Sequence, residues 1–348
     1  MMGKLKKLTG YRLFLPLSCL IIVLLINLIT TPTFFKITIN NGVLYGYIID
    51  VINRASELVV LAVGMTLVVS ASAGTDISVG AVMAVAAAVC TRVLAGGEVS
   101  VNEYANPYVL AVLALAVVCG GFNGFLVAKL KIQPMVATLI LFTAGRGISQ
   151  LVTNGQITYI RVDGYKLLGN NIPGIPIPTP IFVAVIVVVL TYILLKKTAM
   201  GMYIQSVGIN ERASRLVGLK SVKIIWMAYA FCGLCAGIAG LVASSRIYSA
   251  DANNIGLNME LDAIAAVALG GNSLGGGRFS LLGSVIGAYT IQALTTTLYA
   301  MSVPADQIPV YKAIVVILIV AVQSEELNKF RKRLASRHSS KNVEGGVA

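Results

Sequence analysis

The sequence predicts an all-α polytopic membrane protein of about ten transmembrane helices, and three observations carry that expectation. Of its 348 residues, 57% are hydrophobic and only 12% charged, against about 25% charged in a soluble domain. Apolar runs of about 20 residues, the length a helix needs to cross a hydrocarbon core of roughly 30 Å, recur along the chain. The cations sit beside the ends of those runs rather than in one patch. The net charge of +13 therefore reads as orientation signal and lipid headgroup contact, not as a nucleic-acid surface.

The expected spans are 13–31, 57–73, 78–95, 108–128, 133–152, 178–195, 223–243, 259–275, 279–300 and 309–323. The first follows Lys4, Lys6, Lys7 and Arg12 and resembles a signal peptide in outline. Its apolar run, 13–29, is longer than a usual signal core, and no A-x-A cleavage site follows, which predicts a retained span. Residues 43–55 predict an interfacial helix leading into the second span, with Tyr45 and Tyr47 at headgroup depth. Pro173, Pro176, Pro178 and Pro180 forbid a regular helix at the end of the loop 154–180. That loop, 96–107 and 244–258 are the expected outer connections. The last carries Arg246, Asp251 and Glu260 at its margins, and all three loops read either as docking surfaces for an extracellular partner or as plain connections. Ten spans put both termini on one side, and placing the N-terminus inside puts 19 of the 27 Lys and Arg in the cytoplasm. Residues 1–323 are one transmembrane domain on this reading. Residues 324–348 are a basic cytoplasmic tail whose last ten residues lack any apolar period, the composition of disorder.

The interior stretch 201–223 interrupts the apolar rhythm in a different way. Ile209, Ala213, Leu216 and Val217 fall on one helical face, with Asn210, Glu211, Ser214 and Arg215 opposite. Asn210 suits an N-cap, Glu211 and Arg215 pair at i,i+4, and Gly218 suits the stop. Two readings of this short amphipathic helix stand side by side: it lies on the lipid surface, or it inserts into another protein.

Small residues at four-residue spacing, Gly120/Gly124, Gly233/Gly237, Ala236/Gly240 and Gly283/Gly287, predict close helix packing. The five cysteines all lie in apolar runs. Cys232 and Cys235 have C-x-x-C spacing but no histidine near them, so they read as small packing residues. Two glycine-rich polar stretches, 72–80 and 270–278, break the spans, and irregular backbone at membrane depth persists only inside protein or along a wet cavity. Asp76 therefore sits at the cytoplasmic mouth, or faces the protein interior, or belongs to a polar turn that caps the next helix. Asn123, Gln133, Arg146, Gln150 and Gln292 are further candidates for a polar route through the bundle. There is no H-E-x-x-H, G-x-S-x-G, metal-spaced His/Cys set or phosphate-binding G-x-x-x-x-G-K-[ST], so the chain is not expected to be an enzyme.

At these residues the chain resembles the inner-membrane permease family of bacterial ABC importers for ribose, galactose, galactofuranose and related monosaccharides. Gly64-Met-Thr-Leu-Val followed by Gly74-Thr-Asp-Ile-Ser-Val-Gly80 is similar to a family signature, with Thr75 in place of the usual apolar residue. Ala137-Thr-Leu, Gly145-Arg-Gly147 and Thr153-Asn-Gly155 match a second block. The stretch from Gly208 to Gly218 is similar to the family's cytoplasmic coupling segment, although Met202 follows Gly201 where the family often has Arg. The stretch from Glu260 to Arg278 matches its most recognisable block. The resemblance covers residues 40–323.

The resemblance implies a permease domain over 1–323 with a coupling segment at about 200–222, which favours the inserted reading of that helix. Gly208, Asn210, Glu211, Arg212, Ala213, Arg215 and Gly218 are then the expected coupling residues, and Asp76, Ser78, Asn123 and Asn272 the expected path or gate residues. It also implies a second permease copy or homologue, an extracytoplasmic sugar-binding protein, and ATP held by a separate subunit, with no cofactor or metal bound by this chain. The expected location is the bacterial inner membrane. The alternatives are a secondary transporter driven by an ion gradient, which needs acids or histidines within spans, an ABC permease for a nucleoside or other small polar solute, and a membrane protein without cargo. An internal repeat is a further expectation, either 57–88 against 260–293 or an inverted pair of spans two to five and seven to ten.

Overall fold

A computed structural model of the chain describes residues 13–40, 42–95, 107–160 and 163–323. The expected tail 324–348, the N-terminal cations and most of the loop 96–107 lie outside the described residues. The described helices are α1 (Phe14–Thr30), α2 (Tyr47–Ser72), α3 (Val79–Ala95), α4 (Pro107–Ala128), α5 (Pro134–Thr153), α6 (Asp163–Gly169), α7 (Thr179–Lys197), α8 (Met200–Ile209), α9 (Glu211–Leu216), α10 (Ser221–Ile247), α11 (Met259–Leu269), α12 (Leu281–Ala300) and α13 (Ile308–Gln323). Two small antiparallel pairs accompany them, β1 (Thr38–Asn40) with β2 (Val43–Tyr45) and β3 (Thr158–Tyr159) with β4 (Ser249–Ala250).

Among the described residues, α2, α4, α5, α7, α10 and α12 are long and apolar enough to cross a membrane, and α1, α3 and α13 carry shorter apolar stretches. The expected eighth span, 259–275, is not one helix. α11 has 11 residues, a rise of about 16 Å, and ends where Gly271, Gly276 and Gly277 take positive φ. The expected interfacial helix 43–55 also differs. Residues 43–45 form a strand, and α2 starts at Tyr47 and runs unbroken to Ser72. The polar groups at this junction are held in place, because Arg246 Nη1 lies 3.1 Å from Glu57 and Nη2 donates to the Asn53 carbonyl at 3.0 Å.

The core is built on α2 and α10. Almost every residue of α2 from Leu58 to Ala71 is buried, whereas α5 and α7 leave most of their apolar side chains exposed. A helix apolar all round is buried or faces lipid, and here both cases occur in one chain. α10 packs on α4 through glycines. A Cβ on Gly120 would lie 2.3 Å from the Tyr229 carbonyl, one on Gly233 2.3 Å from the Ala116 carbonyl, and one on Gly124 3.0 Å from the carbonyl of Trp226. Gly240 approaches Met83 of α3 in the same way, and Gly287 of α12 approaches Ala266 of α11. Cys232 and Cys235 are buried free thiols packed against Gly64, so the C-x-x-C spacing is a packing feature.

These contacts set a stability test. Gly233→Val forces α4 and α10 apart and lowers thermal stability in detergent, with an overpacking cost of about 1–3 kcal/mol. Gly147→Ala, at a glycine where a Cβ would meet nothing within 4 Å, leaves the melting temperature unchanged or slightly raised.

Candidate coupling and translocation site

The amphipathic stretch forms as two helices rather than one. α8 ends at Asn210, whose backbone is extended and whose side chain accepts from Ala213 N at 2.9 Å, capping α9. Gly218, at φ +85°, ends the turn that follows α9. The orientation of α9 is the informative part. On its polar side Ser214 is buried and Glu211 accepts from Lys131, Arg215 and Ser221, while Asn210 and Arg215 stay exposed. Arg215 Nε also donates to Ser221 Oγ at 2.8 Å. Its apolar side is bare, with Leu216 89% and Val217 78% exposed, and Ile209, Arg212 and Ala213 exposed beside them.

Lys131 is the member of this clasp that sequence reading misses. It belongs to the turn between α4 and α5, at φ +59°, and lies 80 residues from its partner, so no local pattern signals it. Partial burial pushes the Glu211 carboxyl up. The hydrogen bonds from Lys131, Arg215 and Ser221 and the Lys131 charge outweigh that and hold it below the ordinary carboxylate range.

Gly208 lies at the inner end of the stretch. A Cβ there would fall 1.7 Å from the Ser70 carbonyl and 2.6 Å from Gly277 N. Gly277 N donates to that same Ser70 carbonyl at 2.9 Å. The end of α2, the glycine-rich turn after α11 and the end of α8 thus meet at one point.

Three of the four expected path residues come together just beyond α2. Asp76 Oδ1 accepts from Ser78 N at 2.9 Å and Ser78 Oγ at 2.7 Å, and Asn123 Nδ2 donates to Ser78 Oγ at 2.8 Å. All three residues are buried, and Asn123 Oδ1 has no partner. Ile77 N donates to Thr138 Oγ1 of α5 at 3.2 Å, and Ser72 Oγ lies 3.3 Å from Tyr229 Oη. Asp76 is buried and accepts from Ser78 N just ahead of α3, which fits both the interior-facing and the turn-capping alternatives. Asn272 is elsewhere. It donates to the Val267 carbonyl at 2.8 Å and to Ser284 Oγ at 2.7 Å, and Ser284 contacts Thr66 of α2 at 2.6 Å. It joins the end of α11 to the start of α12 and is not part of the Asp76 cluster. No group of three or more potential metal ligands occurs among the described residues.

The chain is thus a bundle of apolar helices that buries polar side chains where spans are broken and leaves an amphipathic helix bare at one end. The chain belongs to the family described as the permease component of the branched-chain amino acid transport system, which matches residues 47–323. It is 44% identical to the galactofuranose transporter permease protein YtfT of Escherichia coli K12, over 92% of each chain. It is 37% identical to the fructose import permease protein FruF of Bifidobacterium longum, over 99% of this chain and 96% of the other. It is 35% identical to the ribose import permease protein RbsC of Escherichia coli K12, over 89% of this chain and 93% of the other. No solved structure matches the chain.

The clasp gives a pH-resolved prediction. Glu211→Gln releases Lys131 and Arg215 and raises amide hydrogen exchange over 211–217 about fivefold at pH 7, the effect of roughly 1 kcal/mol. Because the folded carboxyl titrates below its unfolded value, its contribution is present above the unfolded value and lost as pH falls through the folded one. Wild-type protein therefore keeps its protection at pH 6 and loses it only below the ordinary glutamate range of about 4.3.

Proposed function

We propose that this chain is the transmembrane permease subunit of an ATP-driven importer of a monosaccharide in the bacterial inner membrane. The bare apolar side of α9 carries the reading. An exposed apolar cluster made by Ile209 at the end of α8 and Leu216 and Val217 at the end of α9, beside the Glu211 clasp, has the form of a protein docking surface. Its partner is a separate ATP-binding subunit on the cytoplasmic side. Relatives whose names specify galactofuranose, fructose and ribose support a monosaccharide cargo.

Both termini are then cytoplasmic, the nine longer apolar helices and the broken α11 segment make up the ten crossings, and a sugar-binding protein delivers cargo from outside. The chain pairs with a second permease subunit. ATP sits on the partner subunit and this chain binds no cofactor. Gly208, Asn210, Glu211, Arg212, Ala213, Arg215 and Gly218 form the coupling element, and Asp76, Ser78 and Asn123 the inner gate. Asn272 braces the second break. Nucleotide binding shifts the balance of two permease states only if the partner grips α9 differently in each. The junction at Gly208 passes that displacement to both broken segments.

The test is uptake of radiolabelled galactofuranose, fructose and ribose by proteoliposomes holding this chain with its ATPase and binding-protein partners. Leu216→Asp with Val217→Asp keeps membrane insertion but loses co-purification with the ATPase and loses ATP-dependent uptake. Uptake that persists in the double variant, or wild-type uptake without the ATPase, contradicts the reading.

A further inference from the structure

Sequence reading treats 244–258 as a surface connection, but α10 continues to Ile247 and the chain then turns back into the bundle. α10 begins at Ser221 beside α9 and has 27 residues, so Ile247 lies about 40 Å away, at the opposite end. There β4 pairs with β3, and Ile160, adjoining β3, packs with Leu94, Cys90 and Ala86 of α3. By Gly256 the backbone has descended to the other end of α3. A Cβ on Gly80 would lie 2.3 Å from the Gly256 carbonyl, and one on Gly256 2.5 Å from the Gly80 carbonyl.

Irregular backbone at this depth needs internal partners. Arg146 of α5 supplies them, donating from Nη1 to the Ala252 carbonyl at 3.2 Å and the Ile255 carbonyl at 2.6 Å. One turn along the same helix, Gln150 Nε2 donates to Asn253 Oδ1 at 2.6 Å. Asp251 holds the turn itself, accepting from Asn253 N at 2.9 Å and Asn254 Nδ2 at 2.6 Å. The arrangement is incomplete. Arg146 Nη2 and Glu260 Oε2 are buried and make no direct hydrogen bond, although the two opposite charges attract each other, and Glu260 is 5% exposed. A purely structural anchor is normally satisfied, because each unmatched buried polar atom carries a desolvation penalty.

We propose that residues 251–258 are a plug that blocks the path inside the bundle, between its end opposite α9 and the start of α3, and that Arg146 is its positioning residue. The proposal rests on the transport reading above. Two side chains of α5 hold the plug from one side, so movement of α5 relative to α3 withdraws them together. The unmatched atoms lower the stability of the closed arrangement relative to an open one in which water or a cargo hydroxyl reaches them.

The test uses the whole importer in proteoliposomes. Gln150→Cys and Asn253→Cys are bridged by a short, reducible bis-methanethiosulfonate, and the bridge is verified by peptide mass. Bridging abolishes ATP-dependent uptake and reduction restores it. Equal uptake before and after reduction overturns the plug, and so does failure of the pair to bridge when each single cysteine is labelled. In a second arm, Arg146→Ala speeds maleimide labelling of Ala252→Cys, at a buried position whose carbonyl Arg146 holds, severalfold, and Arg146→Lys returns the rate toward that of the parent. Unchanged labelling in Arg146→Ala removes Arg146 from the proposal. Wild-type importer that takes up no sugar counts instead against the proposed function, so the two failures are separable.

Discussion

One steric constraint governs the α9 end of this bundle: at Gly208 there is no room for a β-carbon. The end of α8, the end of α2 and the turn after α11 are packed backbone to backbone there. Gly208 abuts the carbonyl of Ser70, which takes a hydrogen bond from Gly277. Packed interiors transmit displacement because they are close to incompressible. The two places where spans are interrupted are in direct backbone contact with the end of α8.

The same economy of side-chain volume recurs deeper in the fold. α10 meets α4 at Gly120 and Gly233, α3 at Gly240, and α2 where Gly64 receives Cys232 and Cys235. Without a hydrophobic drive between helices in lipid, association relies on close van der Waals contact and hydrogen bonds. The polar groups then cluster where helices end: Asp76 with Ser78 and Asn123, Asn272 with Ser284 and Thr66, Arg146 with the 250s backbone. The outer faces of α5 and α7 have no such demands and are simply apolar.

What is legible in the sequence follows from range. The Asn210 cap, the Glu211–Arg215 pair and the Gly218 stop are set within a few residues, and each forms as expected. The apolar runs locate eight of the ten expected spans to within a few residues, while α2 starts ten residues earlier and α11 stops six residues short. Asp76 and Ser78 are adjacent enough to suggest a turn, but Asn123, 45 residues on from Ser78, is in sequence only one of several polar candidates. Lys131 in the clasp and Arg146 on the plug read in sequence as orientation charge or as a generic polar residue, because their partners are remote. The continuity of α2 through Glu57 is hidden for the same reason: Arg246 neutralises it from the far end of another helix. The glycine run after α11 is visible, but its effect on span length is not, since hydropathy continues where the helix stops.

The chain has a single tryptophan, Trp226, in the first turns of α10, where its ring touches Gly121 and its carbonyl touches the β-carbon position of Gly124. It is partly exposed, a short way along α10 from the α9 clasp. An indole in such a place emits according to the polarity and rigidity around it. The native protein thus contains its own optical reporter of the contact between α4 and α10, one signal per polypeptide, with no dye to be attached.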